Sequence, residues 1–256
     1  MHLIPSRIEQ SAYGNRWRTR HPAERLALAI GMLVLSIALP PLPAGAAIAP
    51  IMALIALSVV RIPFSTYLRT LAVPLGFAVA GAGATLVSLS VDGGGVRITP
   101  APGGPLLAAG LLVRSLAATS CLCFLLLTTP IAEIVSLLRR GGVPAAVCEL
   151  MLAIYRFIHL FAETAAAIRL AQTARCGYSS RRNAYRSISR LAASLLVRSF
   201  ERARRLEIGI SARGYEGDVR WLEPARTLSV KALAGIAILE CGIVILSRSC
   251  GGGWQP

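Results

Sequence analysis

Two short runs hold the side chains best suited to act on something outside the chain. They are "TARCGY" at 173–178 and "ISARGYEG" at 210–217. Each sets an alanine and an arginine before a small residue: Ala174-Arg175-Cys176 in one, Ala212-Arg213-Gly214 in the other. A glycine just past a last turn permits the left-handed conformation that stops a helix. Arginine in a last turn suits the negative end of the helix dipole. Alanine lets a neighbouring surface approach. The product is a blunt helix tip with a projecting guanidinium, able to make forked hydrogen bonds to a carboxylate. Two such tips point to two equivalent or paired sockets on a partner.

Other candidate chemistry is sparse. The six cysteines (Cys121, Cys123, Cys148, Cys176, Cys241 and Cys250) form no CxxC pair. Cys121 and Cys123 point to different faces of a helix. They read as small buried hydrophobes rather than ligands or a disulfide. His2, His21 and His159 are scattered, and no His/Cys/carboxylate cluster has metal-ligand spacing. A P-loop needs Gly-x4-Gly-Lys-Ser/Thr, whereas the one lysine, Lys231, sits in "LSVKALAG". The reading is a non-enzymatic chain with no bound cofactor. Two charges fall within apolar runs, Arg114 and Glu240, at similar depth. Arg114 is counted from the outer start of its helix and Glu240 from the outer end of its own, and they are expected to form a structural ion pair.

The elements that must hold these groups are apolar. The chain of 256 residues is 55% hydrophobic, with mean hydropathy +0.63, which points to an integral membrane protein. Its net charge is +15, but the charge is segregated and no long basic-aromatic surface accompanies it, which argues against nucleic acid. No cleavable signal peptide is evident in the polar, basic first 25 residues. Spans are expected at Leu26–Leu39, Ala44–Val60, Leu71–Val91, Leu106–Thr129 and Leu228–Leu246. The first two are joined by a tight outer turn, "PPLPAG", and Gly76, Gly81 and Gly83 in the third should allow close packing. A Gly/Pro-rich loop, "DGGGVRITPAPGGP", follows the third. The fold class is therefore an all-α polytopic membrane bundle with about five transmembrane helices.

Arginine placement sets the orientation. The first segment carries Arg7, Arg16, Arg18, Arg20 and Arg25, the second loop holds Arg61 and Arg69, and the third loop has only Arg97. The N-terminus is thus expected in the cytoplasm. Residues 139–226 contain 16 arginines against 7 acids and should stay inside too. Within 143–163, Glu149, Arg156 and Glu163 share one helix face, while Leu150, Ile154, Ile158 and Phe161 form another. That pattern reads as an amphipathic helix at the membrane boundary or lining the bundle, not a span. A helix should run from there to about Arg175, and a second from about Asn183 to Arg213. The second has an apolar stripe of Ile188, Leu191, Leu195, Ala203, Leu206 and Ile210. The regions expected are a cytoplasmic segment 1–25, a four-helix membrane region 26–129, a cytoplasmic or interfacial region 130–227, and a final span with a short outer tail 228–256.

Four stretches, "YGNRWRTRHPAERLAL" at 13–28, "GGVPAAVCELMLAIYRFI" at 141–158, "IRLAQTARCGY" at 168–178 and "ISARGYEG" at 210–217, carry a family likeness. With the helix order, over about residues 7 to 246, the chain resembles the transmembrane (T) component of energy-coupling-factor transporters of the cobalt-importer type. The resemblance implies a scaffold in the bacterial inner membrane whose coupling helices dock two motif arginines, here Arg175 and Arg213, into grooves on two ABC-type ATPase subunits. It implies that those subunits use the ATP, and that a separate substrate-binding membrane subunit takes the cobalt ion. The family usually has Ser or Gly at the third place of the first motif. Cys176 stands there in this chain and is small enough to fit. Alternatives are a nickel or vitamin importer of the same class, a stand-alone secondary transporter, or a membrane-anchored regulator.

Overall fold

The computed structural model describes residues 17, 20–92, 95–101, 103–214 and 228–250. Among these are eight α-helices and one two-stranded hairpin, in the order α1 (Pro22–Ala38), α2 (Pro41–Leu54), α3 (Phe64–Thr85), β1 (Val87–Asp92), β2 (Gly95–Pro100), α4 (Gly104–Thr128), α5 (Ile131–Arg140), α6 (Ala145–Ala174), α7 (Arg181–Ser211) and α8 (Val230–Cys250). A π-helical turn, Ile55–Val59, prolongs α2. The chain divides into two compact units, one drawn from 4–134 with 225–256 and the other from 135–224.

The first unit holds nearly all of the buried apolar surface. Its core joins Leu28, Ala29 and Met32 of α1, Ala44, Ile48 and Met52 of α2, Leu71 of α3, Phe124 and Leu127 of α4, and Ile243 of α8. Between apolar helices in lipid, close backbone approach replaces the hydrophobic drive, and small residues permit it. Gly45 meets the Val113 side chain and backbone, and Gly110 meets Pro41; a Cβ at Gly45 would lie 2.7 Å from Val113 Cγ1. The expected packing glycines of the third span do not serve this purpose. Gly76, Gly81 and Gly83 have nothing within 4 Å of a Cβ position, and neighbouring Val73 and Phe77 are 80% and 83% exposed. The part of α3 they line faces outward.

Several boundaries shift for physical reasons. Pro41 opens α2, because a proline at the first helical position sacrifices no hydrogen bond; the expected outer turn "PPLPAG" is mostly helix. The third span starts at Phe64 and stops at Thr85, earlier than Val91, since Val87–Asp92 pairs antiparallel with Gly95–Pro100. β-branched residues around Asp92-Gly93-Gly94 carry that hairpin. Among the described residues, five helical stretches are long and apolar enough to cross a membrane: Pro41–Val59, Phe64–Thr85, Gly104–Thr128, Ala145–Ala174 and Val230–Ser249. The set includes the helix expected at the boundary, Ala145–Ala174. It omits α1, which has only 17 residues.

The expected Arg114–Glu240 ion pair is absent, although both residues are described. Arg114 Nη2 donates to the carbonyls of Ile37 (3.2 Å) and Leu39 (2.9 Å). These close α1, whose last carbonyls lack helical partners, and Pro40 and Pro41 supply no N–H. A cation at a helix C-terminus is favoured, so Arg114 caps α1. The Glu240 carboxylate packs on Gly31, so close that a Cβ there would overlap it. Along α1 the two contacts lie six to eight residues apart, roughly 9–12 Å, so the similar depth expected from the sequence does not bring the charges together.

Candidate functional site

The second unit is built of two long helices that bury very little. At 1.5 Å per residue, α6 and α7, of 30 and 31 residues, are each about 45 Å long. They pack against each other, yet Cys148 is the buried residue of α6 and Ser187 that of α7. On α6 the apolar face keeps Leu150, Ile154 and Ile158 exposed, while Phe161 is half-buried. On α7 the stripe is half-buried at Leu191, Leu195 and Ile210 and open at Ile188 and Leu206. Such faces are compatible with a lipid boundary or a partner surface.

Each helix ends in one of the arginine motifs. In the first, α6 stops at Ala174 and Arg175 takes the cap position. Cys176 then adopts φ 54°, the left-handed region that normally selects glycine. The amide of Gly177 donates to the Gln172 carbonyl at 2.8 Å, and that of Cys176 to the Thr173 carbonyl at 3.0 Å. This pair of reversed bonds is the Schellman arrangement, and it satisfies carbonyls the helix would otherwise leave open. The glycine just past this last turn, Gly177, does not fill the left-handed position. Cys176 takes it, and Gly177 allows close approach instead: a Cβ there would lie 2.7 Å from Ser187 Oγ and 2.8 Å from the Gln172 carbonyl oxygen.

That close approach lets α7 brace the tip. Ser187 Oγ donates to the Gly177 carbonyl at 2.8 Å, and Gln172 Nε2 donates to the Ser187 carbonyl at 2.9 Å. Tyr178 OH donates to Gln172 Oε1 at 2.8 Å, and the Arg169 guanidinium lies over the Tyr178 ring, 5.9 Å from its centroid. Ser180 caps α7, accepting from the Asn183 amide at 3.2 Å. Ala174, Arg175 and Cys176 remain exposed at the surface of this knot. The motif was legible in sequence, but its brace was not. Gln172 and Tyr178 flank the motif without a distinctive pattern, and Ser187 is separated from Gln172 by 15 positions.

In the second motif α7 ends at Ser211, with Ala212 as cap. Gly214 is left-handed, φ 75°. The third places of the two motifs, Cys176 and Gly214, therefore share one backbone conformation. Among the described residues, backbone turns hold this end: Ala212 N–H to Ile208 O, Arg213 N–H to Ile210 O and Gly214 N–H to Ser211 O, all 3.0–3.1 Å. Ala212, Arg213 and Gly214 are exposed. Tyr215, Glu216 and Gly217 of the same run lie outside the described residues. Among the described residues, neither the Arg175 nor the Arg213 side chain has an ion-pair partner. Among the described residues no group of three or more His, Cys, Asp or Glu could hold a metal ion.

Comparison with known proteins agrees with this architecture. The family model described as "Cobalt transport protein", CbiQ, matches residues 14–222. The chain is 39% identical over 237 residues to the cobalt transport protein CbiQ of Rhodobacter capsulatus, covering 93% of this chain and 96% of that one. It is 30% identical over 220 residues to the protein of the same name from Salmonella typhimurium, covering 82% and 97%. It also matches a protein of Methanocorpusculum labreanum named as a fused cobalt transport protein CbiMQ, at 35% identity over 180 residues, 66% of this chain and 30% of the fusion. Its apolar helices and these matches together show that the chain belongs to the CbiQ cobalt transport protein family and is a multi-pass membrane protein.

Proposed function

We propose that this chain is the transmembrane scaffold of an energy-coupling-factor importer for cobalt ion, docking two ATPase subunits through Arg175 and Arg213. One observation carries the reading: two long helices end in exposed Ala-Arg pairs, each followed by a left-handed residue, Cys176 or Gly214. Two equivalent plugs call for two equivalent sockets, and the paired subunits of an ATPase dimer supply them. The chain lacks the P-loop lysine context, so ATP is bound and hydrolysed by those partners. Cobalt ion is the cargo of a separate substrate-binding membrane subunit. One relative is named as a fusion, of which this chain matches under a third; this supports a companion component that other systems supply separately.

The arginine surplus of 139–226 favours a cytoplasmic position for both motifs and for the N-terminus, in the inner membrane. On this reading α6 rests at the membrane boundary with its uncovered apolar face toward lipid or a membrane partner. Closure of the ATPase dimer draws the tips together, and the packed pair α6–α7 carries that movement toward the membrane helices. The test is a reconstituted complex with Arg175→Ala and Arg213→Ala combined. Truncating buried interface arginines costs roughly 2 kcal/mol or more each. The double variant should lose ATPase subunits on purification and lose ATP-driven cobalt uptake. Normal assembly and uptake would refute the docking role.

A further inference from the structure

In the chain, residues 135–227 lie between the first turn of α5 and the start of α8. Both junctions are held by adjacent residues at the start of α1. Arg25 is fully buried. It donates through Nη1 to the Thr128 carbonyl, the last residue of α4, and through Nη2 to Glu133 Oε2 at 2.5 Å, in the first turn of α5. Nη2 also reaches the Arg20 carbonyl at 3.3 Å. Trp17 adds an edge-on ring contact to Phe124, 5.9 Å between centroids, one turn before Thr128. The departing junction is thus tied to α1 by a charged pair whose arginine is buried and whose carboxylate is half-buried.

Glu24, 3% exposed, ties the returning one. Its Oε1 accepts the Ser229 amide at 2.8 Å. Ser229 in turn caps α8, its Oγ accepting the Ala232 amide at 3.4 Å. A helix-capping serine whose own amide is held by an acid is a capping box. Ordinarily the acid comes from three residues along the same helix; here it comes from 205 positions away. A buried carboxylate used in this manner fixes the direction in which α8 starts. Neighbouring Arg20 lies 3.8 Å from Glu24 Oε2 and over the Trp17 ring, 5.3 Å from its centroid.

We propose that Glu24 and Arg25 are positioning residues that clamp both ends of the 135–227 excursion to α1, so that its movement is delivered to the membrane helices rather than lost at two loose joints. The inference rests on the coupling role proposed above. Adjacent residues on one helical turn cannot move independently, so a displacement at either junction reaches the same short stretch of α1. Neither residue touches the arginine motifs, and neither is needed to recruit an ATPase.

The experiment compares wild type, Glu24→Ala and Glu24→Gln in the full complex reconstituted in vesicles, reading ATP hydrolysis and cobalt uptake together. Glutamine keeps an acceptor oxygen for the Ser229 amide; alanine does not. Glu24→Ala is expected to retain its ATPase subunits and hydrolysis, while uptake per ATP falls roughly three- to tenfold. Glu24→Gln restores the ratio. Hydrogen exchange at the Ser229 amide should quicken in Glu24→Ala alone. An unchanged uptake-to-hydrolysis ratio beside a quickened Ser229 amide overturns the clamp while leaving the docking role intact. A wild-type complex without ATP-driven uptake overturns both readings and is told apart by that failure. In case Glu24→Ala does not assemble, wild type supplies a second measurement. Protection of the Ser229 amide should be the same in nucleotide-free and ATP-analogue-trapped complex, and its loss on trapping overturns the clamp.

Discussion

The two arginine-tipped ends share a motif and a left-handed third residue, but they are held in different ways. At the first, the close approach at Gly177 brings Ser187 of the neighbouring helix against the turn, and Gln172 and Tyr178 complete a hydrogen-bonded knot. At the second, the described residues supply only backbone turns over Ala212 to Gly214. Two related tripeptides, Ala-Arg-Cys and Ala-Arg-Gly, thus end in a side-chain brace at one tip and, among the described residues, in backbone turns at the other. A motif read from sequence specifies which group is presented; the stiffness of its presentation depends on partners distant in the chain. A preorganised arginine loses less conformational freedom on docking and contributes more to affinity.

The largest effect should come from splitting the double variant into its halves. Each arginine-to-alanine change is expected to weaken ATPase binding about tenfold or more, with Arg175→Ala the more damaging, in titrations of purified ATPase onto the scaffold. Equal losses, or a greater one at Arg213, would break the link between bracing and docking strength. Next is Gly177→Ala, whose Cβ would strike backbone oxygen. It should cost about 2 kcal/mol of tip stability, seen as faster hydrogen exchange at the 175–177 amides. The counterpart Gly209→Ala on α7 has nothing within 4 Å of its Cβ position and should stabilise that helix by up to ~1 kcal/mol.

Smaller still is Ser187→Ala, which removes one hydrogen bond. A loss of about 1 kcal/mol is expected at the first tip, with no change in exchange near Arg213. If both tips loosen equally, the brace is not local. The last is Cys176→Gly. A left-handed non-glycine residue costs roughly 1 kcal/mol, so glycine should raise the melting temperature slightly and leave ATPase affinity unchanged.

Much of this architecture was legible because helices of apolar residues announce themselves by composition, and helix stops by small residues after arginine. The ends of α6 and α7 fell within two residues of the positions read from Arg175 and Arg213. What was hidden depended on neighbours. The hairpin at Val87–Pro100 was read as helix and loop, although alternating Val87, Leu89 and Val91 before Asp92-Gly93-Gly94 carried a strand and turn signal. The short α5 passed unnoticed, yet Glu133 in its first turn and Arg139-Arg140 in its last suit both ends of its dipole. Arg114 and Glu240 were paired by their distance from helix ends, but carbonyls left open by Pro40 and Pro41 hold the arginine, and Glu240 lies against Gly31 instead. Gly76, Gly81 and Gly83 were assigned to packing by type, and their outward placement on α3 could only come from the fold.

The central claim is that Arg175 and Arg213 meet ATPase subunits on the cytoplasmic side, and Cys176 is a natural reporter for it. Its thiol is exposed and one residue from Arg175. A membrane-impermeant maleimide applied to inside-out vesicles stripped of ATPase subunits should modify Cys176, with Cys176→Ser as the control, and rebinding those subunits should protect it. Modification of Cys176 from the outside of intact cells, or modification undiminished by bound ATPase, would contradict the account.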